Sequence, residues 1–359
     1  MDHQTFDMQK FGGISRYFAN IHNDLQLDPD FSDEISVLKT GNFYLRNEVF
    51  SKNPLIHFLL KRQKKQNKYN RKYSVRKINE GKFDLFHPTY YDPYFLEHLS
   101  KPFVLTVHDM IHEVYPEFFA PYDEFTKFKR LTIAKADHII AISEKTKADL
   151  QNYLEIPDEK ITVVYHGVDI AKKNKLPALP GLISPYVLYI GDRAGYKNFY
   201  RLLSAFKNVN LAHPEVKLVC TGGAFNPNET EFLIRNKLTD KVIQISASDD
   251  ELNALYQHAI CYISPSLLEG FGFPILEAFS NDCLTLLSDT ECFHEIAGNG
   301  AVYFNPLNVD NIAECILSAI MGFPGKDEKI LQANLQLQKF PLEKSMKETK
   351  AVYQKMLGR

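Results

Sequence analysis

The chain has 359 residues, 45% apolar and 24% charged, and 42 basic against 44 acidic side chains give a formal net charge of −2. That length predicts about two domains. The composition excludes wholesale disorder and a cationic nucleic-acid binder, and no apolar run nears the ~18 residues of a membrane span. Five cysteines, Cys220, Cys261, Cys283, Cys292 and Cys315, contain no CxxC pair. They exclude a disulfide framework and a metal cluster and read as buried, reduced thiols. The opening MDHQTFDMQKFGG has no signal-peptide pattern, so a cytoplasmic location is expected.

Taken in order, the first half alternates apolar runs with helical spacing. Strands are expected at ISVLKT from Ile35, FDLFHP from Phe83, FVLTVHD from Phe103, HIIAIS from His138 and ITVVYHG from Ile161. Ile14, Phe18, Ile21 and Leu25 have helical spacing, as do Phe125, Phe128, Leu131 and Ile133. Ser143 is placed to cap a helix with Glu144 in its first turn. Residues 1–10 are too polar for the buried strand that usually opens a doubly wound domain.

The linker is 171–185, AKKNKLPALPGLISP, with three prolines and a glycine. Beyond it strands are expected at YVLYIG from Tyr186, VKLVCTGG from Val216, VIQIS from Val242, CYISPS from Cys261, CLTLLS from Cys283 and AVYF from Ala301. Helical stretches such as 199–209 and 249–259 separate them. Strands alternating with helices imply parallel sheets covered on both faces, in two doubly wound α/β domains. The domains are read as 1–170 and 186–325, with a polar helical tail over 326–359.

The strongest chemical signal is SPSLLEGFGFPILEAFS, residues 264–280. Glu269 and Glu277 stand eight apart around Gly270 and Gly272, and Pro274 predicts a helix starting near Phe273. The loop follows a strand, at the sheet edge where open α/β folds bind ligands. Glycine amides and a helix N-terminus suit an anion, and a glutamate suits paired hydroxyls of a ribose or sugar. In GDRAGYKN, Arg193 and Lys197 follow the first strand of the second domain, where two cations suit a diphosphate. Gly12 and Gly13 precede a helix, and His108 and Asp109 end the strand FVLTV. Asp28 and Asp30 form a D-x-D in a Pro-containing polar loop and read as a solvated turn. A dehydrogenase would need G-x-G-x-x-G, but VKLVCTGGAFNPN offers only Gly222 and Gly223.

LEGFGFPILEA resembles the E-x7-E signature of retaining glycosyltransferase family 4, whose members have the two-domain GT-B fold. The resemblance extends through FGGISRYF, TVHDMIHEVYPEFF, ADHIIAIS, VVYHGVD, GDRAGYKNFYRLLSAF and EIAGNGAVYFNP, and so covers nearly all of 11–321. FGGISRYF is most similar to bacterial mannosyltransferase-like members that build lipopolysaccharide or capsule glycans. The resemblance implies two Rossmann-like domains facing across a cleft, acceptor side first and nucleotide sugar second, with the tail returning to the first. It assigns Arg193 and Lys197 to the donor diphosphate, Glu277 to the nucleotide ribose and Glu269 to the transferred sugar. It places Phe271 and Gly272 where backbone meets donor, Gly13 near the phosphates and His108 facing the donor sugar. No metal or other cofactor is implied. Two departures are that Asn281, Asp282 and Cys283 stand where a glycine and proline are common, and that the opening strand is largely missing. The alternatives are a GT-B sugar-nucleotide epimerase and a transferase-like protein that only binds.

The segment Lys61 to Lys77, KRQKKQNKYNRKYSVRK, carries nine basic residues and no acidic one, after the apolar PLIHFLL that begins at Pro54. Acceptors of such enzymes are often lipid-linked, so peripheral attachment to an anionic inner membrane face through this segment is expected.

Overall fold

The computed structural model describes residues 1–48, 50, 60, 62–120, 123–170, 174–182, 185–193 and 195–358. The chain forms two compact units, one of Met1–Gly167 with Glu343–Arg359, the other of Val168–Leu342.

The first unit holds a parallel sheet of β1 (Val104–Val107), β2 (His138–Ala141) and β3 (Ile161–Val163), in that order. Every residue of β1 and β2 is buried, as unbroken apolar runs require of a sheet covered on both faces. Besides a four-residue helix at Ile111–Val114, the helices before the second unit are α1 (Gln4–Met8), α2 (Gly13–Leu27), α3 (Gln63–Glu80), α4 (Glu124–Lys135) and α5 (Glu144–Leu154) among the described residues. The Ser143 side chain accepts from Thr146 N and caps α5.

Two strands expected from the sequence do not form among the described residues. The run from Phe83 makes one isolated bridge, Phe86 to Phe103, and the run from Ile35 makes none. Ile35 and Val37 are buried, so the run still serves the core. Beside the run from Ile35 only Met1 bonds in ladder fashion among the described residues, to Glu34 O and Ser36 N, and Val37 N turns to Ile35 O while Leu38 N turns to Asn70 Oδ1.

The polar opening is buried all the same, from Asp2 to Asp7. Partners, most of them distant, satisfy all of it but Asp7 Oδ2, which has no hydrogen-bond partner among the described residues. Asp2 Oδ1 accepts from Thr89 N at 2.8 Å and Thr89 Oγ1 at 2.7 Å, and Asp2 Oδ2 from Gln4 Nε2 and Tyr94 OH, each at 2.9 Å. His3 Nδ1 meets Ser74 Oγ, and Asp7 Oδ1 accepts from Gln66 and Asn70. The buried stripe of α3, Gln66, Asn70, Ser74 and Ile78, is mostly polar for this reason.

The second unit is a six-stranded parallel sheet, β4 (Tyr186–Ile190), β5 (Lys217–Thr221), β6 (Val242–Ile245), β7 (Cys261–Ser264), β8 (Thr285–Ser288) and β9 (Val302–Phe304). Their order is β6-β5-β4-β7-β8-β9. Around it lie α6 (Phe199–Ala212), α7 (Pro227–Arg235), α8 (Asp249–His258), α9 (Phe273–Ser280), α10 (Glu291–Ala297), α11 (Val309–Ile320) and α12 (Lys326–Leu337). Capping boxes start α7 at Asn226 with Glu229 and α8 at Ser248 with Glu251. The core is one cluster in which Phe199, Leu202, Leu203 and Phe206 of α6 pack with Val187, Leu218, Ile263 and Leu286 of the strands.

The units divide differently from the sequence reading. Most of the expected linker lies in the second unit, and so does α12, because it is stapled there. A Cβ on Gly300 would stand 2.6 Å from Ala333 Cα, so only glycine permits this approach, and Gln336 Nε2 donates to the Glu295 and Ile296 carbonyls. Only 343–359 return to the first unit, as most of α13 (Leu342–Met356). Its Tyr353 OH pairs with His87 Nδ1 at 2.7 Å, and His87 Nε2 pairs with Thr106 Oγ1 at 2.9 Å. Lys350 bridges Asp24 and Asp28, so Asp28 of the D-x-D is ion-paired, its carboxyl held below the usual range mainly by the lysine.

Asp2→Ala removes the acceptor at the centre of the buried polar opening and leaves donors on Thr89 and Tyr94 unpaired. The expected loss is about 3 kcal/mol in urea unfolding. A midpoint unchanged from the parent would contradict the packing described.

Candidate functional site

In the second unit the chain runs from β4 out to β5 and β6, then crosses back to β7 beside β4. The loops after β4 and β7 therefore emerge side by side at the point where the strand order reverses, the place that opens a crevice in such sheets. They are stitched together. Leu267 N donates to Tyr196 O at 2.8 Å, and Asn198 Nδ2 donates to Pro265 O at 3.0 Å and Pro306 O at 2.7 Å.

Lys197 and Glu269, flagged separately in the sequence, are partners. Lys197 Nζ stands 2.7 Å from Glu269 Oε1, both side chains partly buried. Burial opposes the lysine's charge, but Glu269, with Tyr196 and Asp192, outweighs it and holds the ammonium above the usual lysine value. Arg193 is anchored on the other side of the loop. Its Nε meets Glu229 Oε1 at 3.0 Å, and its Nη2 donates to Gly223 O at 2.7 Å and Ala224 O at 2.9 Å. The remaining Nη1 is buried without a hydrogen-bond partner among the described residues. Gly222, at φ +117°, allows this closeness, since a Cβ there would lie 2.8 Å from Gly191 O.

After β7, Gly270 and Phe271 are buried, and Gly272, at φ +104°, is the residue before α9, with Pro274 in the first turn. Glu277 lies one turn in. Its Oε2 accepts from Tyr256 OH at 3.2 Å, a hydroxyl that also donates to Pro274 O at 3.0 Å. Burial, helped by the charge of Glu277, pushes the Tyr256 phenol far above its usual value, so it remains a donor. Sequence reasoning missed Tyr256 and Glu229. They lie 21 and 36 residues from the groups they hold, with no local spacing to mark them.

In the first unit, α2 starts at Gly13 after an extended Gly12, and Gln9 Oε1 takes Ser15 N at 3.0 Å. A Cβ on Gly12 would stand 2.7 Å from that same oxygen. His108 follows β1 with both ring nitrogens buried and without a hydrogen-bond partner among the described residues. Its ring stacks on His166 at 5.8 Å and meets the edges of Tyr17 and Phe18 at 6.0 and 6.1 Å. Burial lowers its pKa to about 4, only partly opposed by Asp109, so the imidazole is neutral at pH 7. Asp109 itself faces the fully buried Lys129 at 3.5 Å.

Among the described residues no group of three or more His, Cys, Asp or Glu is placed to hold a metal ion, and no helix is long and apolar enough to cross a membrane. Lys61 and residues 54–59 of the apolar run before it lie outside the described residues. Within α3, Lys64, Lys65, Lys68, Arg71, Lys72 and Arg76 are exposed, opposite the buried stripe. Arg71 pairs with Asp92, Arg76 with Glu80 and Lys77 with Glu34.

His87 and His108 give the first unit a pH dependence of definite sign. Burial lowers them from 6.5 to about 3 and about 4. The unfolded chain takes up these protons near pH 6.5 while the folded chain refuses them. Stability is therefore full above pH 6.5 and declines as pH falls toward 4, by about 1.4 kcal/mol per unit for each histidine. Urea midpoints at pH 7 and 5 test this, and equal values would contradict it.

Comparison with known proteins agrees with both halves. The Glycosyltransferase Family 4 domain matches residues 11–172, and the domain of glycosyl transferases group 1 matches residues 181–334. The O-antigen chain mannosyltransferase RfbU of Salmonella typhimurium is 29% identical over 207 residues, 56% of this chain and 56% of that protein. The match thus spans little more than half of that relative. The O-antigen chain mannosyltransferase B of Escherichia coli is 25% identical over 281 residues, 74% of this chain and 73% of its own. The crystal structure of Anabaena HepE in complex with UDP and glucose superposes with a TM-score of 0.73 at 18% identity, covering 95% of this chain and 96% of that one, a likeness of fold. With the E-x7-E loop at the strand-order reversal and a matching domain in each half, the chain belongs to the glycosyltransferases of GT-B fold that join a family 4 domain to a group 1 domain.

Proposed function

We propose that the protein is a retaining hexosyltransferase that moves mannose from a nucleotide sugar to a glycan or lipid-linked acceptor. The observation that carries this is the Lys197–Glu269 ion pair at 2.7 Å between the loops after β4 and β7, where the strand order reverses, with Glu277 on the helix that follows the second of these loops. Mannose rather than another hexose is supported by the names of the relatives, which are O-antigen mannosyltransferases.

In this reading Glu277 accepts from the ribose hydroxyls, oriented by Tyr256. Lys197 and the open Nη1 of Arg193 face the diphosphate, so positive charge is in place where the leaving group gains negative charge. Gly270, Phe271 and Gly272 bring backbone amides to the donor, and Glu269 lies toward the transferred sugar. In the first unit Gly12 and Gly13 offer the N-terminus of α2 to phosphate. His108, neutral and with neither ring nitrogen hydrogen-bonded among the described residues, offers a hydrogen bond to a sugar hydroxyl. These cations and amides offset the leaving charge without a metal ion. The exposed basic face of α3 attaches the enzyme to an anionic membrane surface that presents the acceptor.

Glu277→Ala is expected to raise donor KM roughly tenfold to a hundredfold, the loss of a charged hydrogen bond worth about 1.5–3 kcal/mol. Lys197→Ala is expected to lower kcat, with activity unaffected by EDTA. Unchanged donor kinetics in a folded Glu277→Ala protein, or activity lost in EDTA and restored by magnesium, would overturn the respective assignments. NMR of the first-formed anomer tests retention.

Sedimentation with liposomes tests the membrane role. Binding is expected to vesicles with anionic lipid at low salt and to weaken at high salt. Equal binding to neutral vesicles, or none to either, makes α3 a solvated face only.

A further inference from the structure

His108 and Asp109 follow β1 together, but only the histidine has a part in the proposed transfer. Asp109 is held by one of its two oxygens. Oδ1 accepts from Ile111 N at 3.2 Å and faces Lys129 Nζ at 3.5 Å, while Oδ2 has no hydrogen-bond partner among the described residues. The Asp109 side chain is 34% exposed, against 0% for the Lys129 behind it. Its free oxygen is therefore open to solvent at the carboxyl edge of the sheet, where open α/β folds bind ligands.

The support behind Asp109 is more than packing requires. Lys129 Nζ, on α4, already meets the equally buried Glu113 Oε2 at 2.9 Å, and Arg130 Nε stands 3.6 Å from the other oxygen of Glu113. One carboxylate offsets one buried ammonium, and Glu113 is that carboxylate. The second carboxylate gains a fixed position instead. Burial opposes the charge of Asp109, but Lys129 and the Ile111 amide, with the neighbouring histidines, outweigh it and hold the carboxyl below the usual range. Beside it His108 is 7% exposed, with neither ring nitrogen hydrogen-bonded among the described residues, and Tyr91 OH accepts from the His108 amide at 3.0 Å. Two consecutive, fixed residues thus offer a neutral imidazole, which donates at one nitrogen and accepts at the other, and a charged acceptor. Sugar hydroxyls both donate and accept, so they suit this pair, whereas the carboxylate repels a phosphate.

We propose that Asp109 Oδ2 accepts a hydroxyl of the sugar carried by the nucleotide donor, the sugar to which His108 also bonds. The inference rests on the transferase reading and adds a residue that recognises the sugar and not the nucleotide. A hydroxyl-to-carboxylate bond is charge-assisted, and a carboxylate already held at its other oxygen gives up little freedom in forming it.

Calorimetry on the full chain tests this with GDP-mannose and UDP-glucose, each set against its own nucleoside diphosphate. Asp109→Asn keeps the shape and leaves an amide oxygen for Lys129 and Ile111, so an NH2 group replaces Oδ2. Its affinity for the nucleotide sugar that the parent binds is expected to fall roughly tenfold or more, with affinity for the matching diphosphate within about twofold of the parent. Should that variant fail to fold, Asp109→Glu, which keeps the charge but displaces the free oxygen, is expected to give the same split. Equal loss for nucleotide sugar and diphosphate makes Asp109 a structural residue and overturns the proposal, as does no loss for either. A parent protein that binds neither nucleotide sugar overturns the transferase reading itself, and this inference with it.

Discussion

A parallel sheet covered on both faces leaves its strand ends as the only place where backbone and solvent meet near the core. In the second unit that constraint acts at β4 and β7, which are neighbours in the sheet although β5 and β6 separate them in the chain. Their outgoing loops therefore emerge side by side at the strand-order reversal, the position at which open α/β sheets bind ligands. The rest of the site follows. Asn198 and Leu267 tie the two loops together, Lys197 and Glu269 meet across them, and α9 starts where Gly272 lets the chain turn.

Among the described residues, buried polar atoms without a hydrogen-bond partner include some that end strands and some, such as Asp7 Oδ2 and Ser345 Oγ, that do not. A buried donor or acceptor without a partner costs about 1–3 kcal/mol, so folds rarely leave one. Asp2, His87 and Lys129 are deeply buried, and each has its partners. The His108 ring nitrogens and Arg193 Nη1 have no hydrogen-bond partner among the described residues. His108 follows β1 and Arg193 lies just beyond β4, both at the carboxyl edge of their sheets, the edge at which open α/β folds bind ligands. Unmet hydrogen-bonding capacity at these positions is better explained by a ligand than by packing.

The strands of the second unit were legible because each is a short, mainly apolar run with a helix-length gap to most of its neighbours. VIQI and TLLS needed no tertiary information. Phe273 could be read as a helix start from Pro274 alone. The runs from Ile35 and Phe83 are equally apolar, yet a strand also needs a paired neighbour, and propensity carries no information about that. The polar opening misled for the opposite reason. Thr89 and Tyr94, which make burial of Asp2 tolerable, lie 87 and 92 residues away. The candidate site was half visible. Glu269 and Lys197 could each be picked from their own loop, but their ion pair joins positions 72 apart and belongs to the topology.

The hydrogen bond between His87 and Tyr353 joins residues 266 positions apart, with all of the second unit between them in the chain. During synthesis the second unit, Val168–Leu342, has every residue it needs before Tyr353 has been added. The first unit, begun earlier, must wait, its His87 and the helix-facing side of its sheet uncovered until α13 is made. Domains commonly complete in the order they are translated. Here the chain order is inverted, and the half translated first is the one finished last.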